Sequence, residues 1–384
     1  MALNHTSASP QGAASPQPRR PLTVLGLESS CDDTAAAVLR LNPDGTAHVL
    51  AEAVMGQNSA HAPYGGVVPE IAARAHAERV DGLAAQVLKE AGLNAAQLDG
   101  VAATAGPGLI GGVMAALMTA KGIALGAGVP LIAVNHLEGH ALSARLTETL
   151  DFPYLLLLVS GGHTQLAAVR GVGEVVRYGS TLDDAAGEAF DKTAKIMGLG
   201  FPGGPAVERV AKDARDPGRF PMPRMLAKDK SCDFSFAGLK TAARRAWDGR
   251  QAPNDSDRAD LAASVQGAIA AHLSERTGRA MVQFRSEHPG LTAPVIVAAG
   301  GVAANGAVRQ ALTEVAQAQG FTLLAPPLKY CTDNAAMIAL AGAERLALGL
   351  RDDLDAPARA RWPLDAKAAA AAPASGGGRK GPKA

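Results

Sequence analysis

The feature that most restricts the fold is a pattern that occurs twice. Residues 24–27 and 35–39 are short apolar runs on either side of the turn Glu28-Ser29-Ser30-Cys31-Asp32-Asp33-Thr34. Residues 154–159 and 165–169 are apolar runs around Ser160-Gly161-Gly162-His163-Thr164. An apolar strand, a turn of small or hydroxylated residues and a returning apolar strand form a hairpin signature. Two such hairpins, each followed by alternating strand and helix patterns, predict an α/β chain of two related lobes with a cleft between them. Strand-like runs at 100–103, 131–134 and 295–298 fit this layout, as do helix-like stretches at 69–92, 110–125, 185–197, 205–214, 258–285, 303–318 and 334–348. The expected lobes are 22–131 together with 334–363, and 132–333.

Residues 1–21 are rich in Ser, Ala, Gln and Pro without the apolar centre of a secretory signal. They read as a disordered extension, with a transit peptide as the alternative. Residues 366–384 are low-complexity and read as a solvated tail. Against 37 Lys and Arg stand 36 Asp and Glu, so nucleic acid could be held only by local basic patches, not by the overall field. Aromatic residues at 4% exclude a base-stacking platform. Three cysteines, none in a CxxC pair, exclude a disulfide framework and a zinc knuckle and point to a reducing, cytoplasmic setting. No run reaches the roughly 18 uninterrupted apolar residues of a membrane span.

Five segments could carry chemistry. In Asn135-His136-Leu137-Glu138-Gly139-His140 the two histidines are four apart, so on a helix they share a face and could bind one metal. Two ordinary histidines are the plainer reading. A zinc protease would need the glutamate directly after the first histidine. Glu138 lies two positions on and points about 200° away from His136. Ser160-Gly161-Gly162 after a buried strand could form an anion-binding nest of backbone N–H groups, or an ordinary turn. Gly300-Gly301 closes a strand ahead of a helix, and those N–H groups suit a phosphate or an adenine edge. Asp184, Glu188 and Asp191 share one helical neighbourhood and precede Gly203-Gly204; they are either a solvated acidic face or partners for ribose hydroxyls. Asp333 before the last helix is either an N-cap or the carboxylate that completes a two-histidine site.

Together, ESSCDDT, HAPYGGVVPEIAAR, TAGPGLIGG, NHLEGH, LVSGGHTQL, DDAAGEAFDKTAK, FPGGP, FSFAGLKTA, AAGGVAAN and CTDNAAMIA resemble, in order, one family. It is the tRNA adenosine-37 N6-threonylcarbamoyltransferases, long described as O-sialoglycoprotein endopeptidases. The resemblance implies a two-lobed actin/Hsp70/sugar-kinase fold with a nucleotide in the cleft. It implies transfer of a threonylcarbamoyl group from threonylcarbamoyl-AMP to N6 of adenine 37, in tRNAs that read codons beginning with A. By that resemblance His136, His140 and Asp333 hold one divalent metal, Fe2+ ahead of Zn2+. Leu158, Val159, Ser160, Gly161 and Gly162 hold the adenylate; Asp191, Gly204 and Glu208 sit at its ribose, and Asn305 at the nucleotide. Asp191 and Glu28 are the candidate bases, unranked. Some relatives carry Glu in place of Asp33, and some carry a metal-approaching Tyr in place of Leu158. The implied partners are tRNA, a paralogous subunit that dimerises through the first lobe, a small ATPase and a separate synthase, with no membrane. Lys240, Arg244 and Arg245 form a candidate basic patch. A metalloendopeptidase and a non-catalytic nucleotide-sensing scaffold are the rival functions.

Overall fold

The computed structural model describes residues 17–64 and 66–371. The first sheet begins with the antiparallel strands β1 (Leu22–Glu28), β2 (Asp33–Leu41) and β3 (Ala47–Gly56). The short helix α1 (Asn58–His61) and the long helix α2 (Pro69–Glu90), which has proline in its first turn, lead to β4 (Gly100–Gly106). Helix α3 (Ile110–Ala127) then crosses to β5 (Leu131–Asn135). The sheet order is β3-β2-β1-β4-β5, with β4 and β5 parallel to β1.

After helix α4 (His136–Leu142) the second sheet repeats the plan with β6 (Tyr154–Val159), β7 (Thr164–Gly171) and β8 (Glu174–Ser180). Helices α5 (Ala186–Met197), α6 (Gly203–Ala211), α7 (Ala237–Asp248) and α8 (Asp255–Glu287) precede β9 (Val295–Ala299). Then come α9 (Gly306–Ala318), β10 (Thr322–Leu324), α10 (Leu328–Cys331), α11 (Ala335–Ala347) and α12 (Ala366–Ala371). The order β10-β9-β6-β7-β8 is that of the first sheet, with β6 in the place of β1. Both hairpins expected from the sequence are present, with Glu28 opposite Ala35 in one and Val159 opposite Thr164 in the other.

Both faces of the inner strands are buried, which is why their sequences read as unbroken apolar runs. Along β6, Leu155, Leu157 and Val159 enter the core beneath α5, α8 and α9. Tyr154, Leu156 and Leu158 enter a second core with α4, α11 and residues of the first sheet, so that core joins the lobes. A third core lies under α2 and α3. Helix α3 is long and apolar enough to span a bilayer, but Val113, Leu117 and Ala120 pack inward while Ile110, Met114, Met118 and Leu125 stay exposed.

β5 bonds to β4, so the first sheet runs through Asn135. The return of 334–348 to this lobe follows from how α11 lies on β1: a Cβ on Gly26 would come 2.4 Å from the Ala335 carbonyl oxygen, so only glycine permits the approach. The chain end is a strap. Asp352 accepts from Ala133 N (2.8 Å), Arg359 N donates to Ala105 O (2.8 Å), and Asp365 accepts from Arg177 N (2.9 Å). Residues 366–371 are helical, where composition alone suggested a solvated tail, because Asp365 caps them through Ala368 N. At the other end Arg20 pairs with Asp99 (2.6 Å). The rest of the expected extension (1–16) and tail (372–384) lies outside the described residues.

Gly26→Ala is expected to force α11 off β1 and to lower stability by roughly 1–3 kcal/mol, the usual range for overpacking. Urea unfolding would register it as a lower midpoint at unchanged slope, and an unchanged midpoint would refute the close approach.

Candidate metal centre and cleft

The centre is assembled at two strand–helix junctions. Asn135 ends β5 and caps α4, accepting from Leu137 N (2.9 Å) while its amide donates to the Trp362 carbonyl of the strap (3.0 Å). One helical turn then places His136 and His140 with ring centroids 4.7 Å apart. At the second junction the cap of α11 is Asn334, which accepts from Met337 N (2.9 Å). Asp333 is therefore not the N-cap, and its carboxylate is available to the histidines. Its Oδ1 lies 3.1 Å from His140 Nε2 and 3.5 Å from His136 Nε2. One ligand atom from each of the three lies within 4.8 Å of the others.

Behind His136 sits Glu28, wholly buried at the end of β1. Its Oε2 accepts from His136 Nδ1 (2.9 Å) and Thr104 Oγ1 (2.5 Å), and its Oε1 accepts from Ser30 N (2.6 Å). A carboxylate on the far ring nitrogen fixes the tautomer and turns Nε2 toward Asp333, the outer-shell arrangement of a metal-ligating histidine. Burial works against the charge on Glu28, yet His136 holds it below the usual carboxylate range. Burial also works against a charged His136, but Glu28 and Asp333 raise it to about 9. Asp333 is held low by the histidines despite burial. Two carboxylates around two imidazoles make a pocket that attracts a cation, and two nitrogens with one oxygen suit a divalent transition metal.

Glu138 is engaged elsewhere. It pairs with Arg345 of α11 (2.8 Å), and Arg145 pairs with Glu344 (2.8 Å). The glutamate that a zinc protease would aim at bound water is thus part of a structural brace.

Of the segment 158–162, Leu158 and Val159 have their side chains in the cores. Gly161 and Gly162 are exposed, with nothing near their Cβ positions. The turn is closed by Ser160 N donating to His163 O (2.8 Å). The start of α5 abuts it so closely that a Cβ on Gly187 would lie 2.6 Å from Ser160 O. The remaining expected residues lie on α5, on α6 and at the start of α9. Asp191 accepts from Gly203 N (2.7 Å), next to Gly204. Glu208 accepts from Gly306 N (2.9 Å), and Asn305 caps α9 through Val308 N (3.1 Å) and donates to Gln266 (2.9 Å). Burial raises Asp191, as do Glu188 and Asp32, the latter from the first lobe.

Sequence reasoning passed over Asp33 as a titrating group. Burial first, then Asp333, Asp32 and Glu28, push it to about 7. The available signal was the acidic pair within a hairpin turn, but its charged neighbours come from β1 and from the junction before α11. His163 was likewise quoted only as part of a motif.

A family model described as tRNA N6-adenosine threonylcarbamoyltransferase matches residues 48–340. A protein of that name from Maricaulis maris is 69% identical over 98% of this chain and 98% of its own. Another, from Caulobacter vibrioides, is 60% identical over 94% of this chain and 98% of its own. Among solved structures, HypF of T. kodakarensis has a TM-score of 0.55 at 14% identity, covering 88% of this chain and 49% of that one. That likeness bears on the fold alone. With the repeated strand order it makes the architecture the two-lobed actin/Hsp70/sugar-kinase type.

Two pH effects follow. His136, raised to about 9, contributes stability to the metal-free protein that is complete below its unfolded value near 6.5 and is lost as pH rises through 9. A metal must displace that proton, so metal affinity is expected to climb about tenfold per pH unit up to roughly pH 9; a flat titration by calorimetry would contradict it. Asp33 has the opposite sign: ionising it costs stability as pH rises from about 4 to about 7. Asp33→Asn should raise the Tm of the metal-free protein at pH 8 and leave it nearly unchanged at pH 4, and equal shifts at both would refute the assignment.

Proposed function

Because the chain belongs to the tRNA N6-adenosine threonylcarbamoyltransferase family and is a transferase of that kind, we propose that it moves a threonylcarbamoyl group from threonylcarbamoyl-AMP to N6 of adenosine 37, in tRNAs reading codons that begin with A. The observation that carries this reading is the convergence of His136, His140 and Asp333 beside residues of an open glycine turn.

In the reaction the N6 amine attacks the carbamoyl carbon. An N–C bond forms, the C–O bond to phosphate breaks, and AMP leaves with that electron pair. The leaving group is already good, so the protein's task is positioning and charge stabilisation. Gly161 and Gly162 present backbone N–H groups to the phosphate. Asp191, Gly204 and Glu208 hold the ribose side, with Asn305 at the nucleotide. Glu28, enclosed behind His136, orients that ring rather than meeting substrate. With Asp191 at the ribose, neither candidate base reaches the amine, and the N6 proton leaves to solvent as AMP departs. A divalent ion held by His136, His140 and Asp333, Fe2+ or alternatively Zn2+, would act as a Lewis acid toward the carbamoyl carbonyl.

For tRNA, the exposed Lys240, Arg244 and Arg245 on α7 offer a basic face, with Lys228 and Lys230 exposed on the preceding loop. For a paralogous partner subunit, the apolar face of α3 (Ile110, Met114, Met118, Leu125) in the first lobe is the surface that needs covering. A small ATPase and a synthase that makes the adenylate complete the set, working in the cytoplasm. The endopeptidase reading is disfavoured because Glu138 is bound to Arg345, and a nucleotide-sensing scaffold leaves the metal ligands without a use.

Replacing His136 and His140 together with Ala should abolish bound metal and lower transfer by at least about 10³-fold. The checks are metal analysis of the protein and mass spectrometry of tRNA nucleosides from a depleted strain carrying the variant. Undiminished threonylcarbamoyladenosine in the depleted strain would overturn the function, and full transfer without metal would remove the ion from the mechanism.

A further inference from the structure

The glycine turn ends in a side chain with no assigned role. The main chain of His163 closes the turn, its N–H donating to Ser160 Oγ (3.2 Å) and its carbonyl accepting from Ser160 N (2.8 Å). The ring is thereby held at the end of the phosphate-facing loop. Its Nε2 is sealed from solvent and has no hydrogen-bond partner. A buried polar atom without a partner is unfavourable, and a catalytic role is one of the reasons a native structure keeps one. The charges of His136, His140 and Asp333 act on the ring, so it lies in the neighbourhood of that centre. It is not one of the three mutually close ligands.

We propose that His163 is a further catalytic residue of the transfer, its imidazole donating an Nε2–H hydrogen bond to the carbamoyl oxygen as N6 attacks. This rests on the function proposed above. The position follows from connectivity. With the phosphate on the Gly161 and Gly162 N–H groups, the carbamoyl carbon is one bridging oxygen from phosphorus, and the next side chain along the turn is His163. It gives a hydrogen bond and no proton. AMP still departs with the electron pair of the broken C–O bond, and the N6 proton still leaves to solvent.

The experiment compares the full-length, metal-loaded enzyme with its His163→Ala and His163→Gln variants, in the presence of its partner proteins. It measures transfer of labelled threonylcarbamoyl from the adenylate to tRNA, metal content, and AMP affinity. We expect His163→Ala to keep metal and AMP binding and to lose about 10²-fold in kcat. His163→Gln, which restores an N–H near the same point, should recover at least about tenfold of that. A His163→Ala variant with wild-type kcat overturns the proposal, and so does one that loses its metal, since His163 would then be a ligand. If His163→Ala fails to fold, His163→Gln decides: a folded His163→Gln protein with kcat within about tenfold of wild type supports the hydrogen bond, and one reduced 10²-fold or more at normal metal content overturns it. Wild-type enzyme that modifies no tRNA would instead sink the function itself.

Discussion

Two buried ion pairs fix the first histidine helix against the last core helix, and the centre depends on that brace. Glu138 and Arg145 flank His140 on one side of the junction; Arg345 and Glu344 answer them from α11. Burial pushes both glutamates up in spite of their arginines, a sign of how little solvent reaches them. Such pairs add little net stability over apolar packing, but removing one partner leaves a buried charge at a cost of about 3–5 kcal/mol. Their value is geometric. Asp333 lies just ahead of α11, and the histidines open α4, so fixing one helix on the other fixes three ligands at once. Gly26 and the strap carbonyl on Asn135 set the same elements against the first sheet.

Charge is arranged around this frame in layers. Glu28 and Asp333 are held ionised by the histidines, and the histidine between them is held protonated in return. Further out, Asp33 is pushed toward neutrality by the same carboxylates. A cation placed among them relieves repulsion at several groups together, which is why a divalent ion suits a site that would otherwise be overloaded with acid. Among the residues expected at the nucleotide, Asp191 of α5 accepts from Gly203 N at the start of α6, Glu208 of α6 accepts from Gly306 N at the start of α9, and Asn305 caps α9.

The two hairpins were legible because hydrophobic runs and turn residues are local properties. The longer helices were legible for the same reason, with α8 extending only a few residues beyond its apolar pattern, while the short α1, α10 and α12 were not. The outer strands β3, β8 and β10 were not read. They are half-buried, so their sequences lack a continuous apolar run, and they exist because an inner strand offers them a hydrogen-bonding edge. The sheet that β5 joins was not legible for a related reason: a strand's sheet is chosen by its neighbour, and β5 is a neighbour of β4.

The sequence by itself determined the two-lobed α/β plan, the pairing of His136 with His140 on one helical face, and the residue types able to bind a cation and a nucleotide. The wrong spacing of Glu138 for protease chemistry was also written there. Only the tertiary structure decided that Asn334 rather than Asp333 caps α11, that Glu28 stands behind His136, and that Asp33 and His163 sit in the field of the candidate metal ligands. Helical periodicity and turn chemistry act over a few residues, so a sequence displays them. The potential at a buried carboxylate or imidazole is set by groups up to roughly 300 positions away in the chain, brought within a few ångströms by packing.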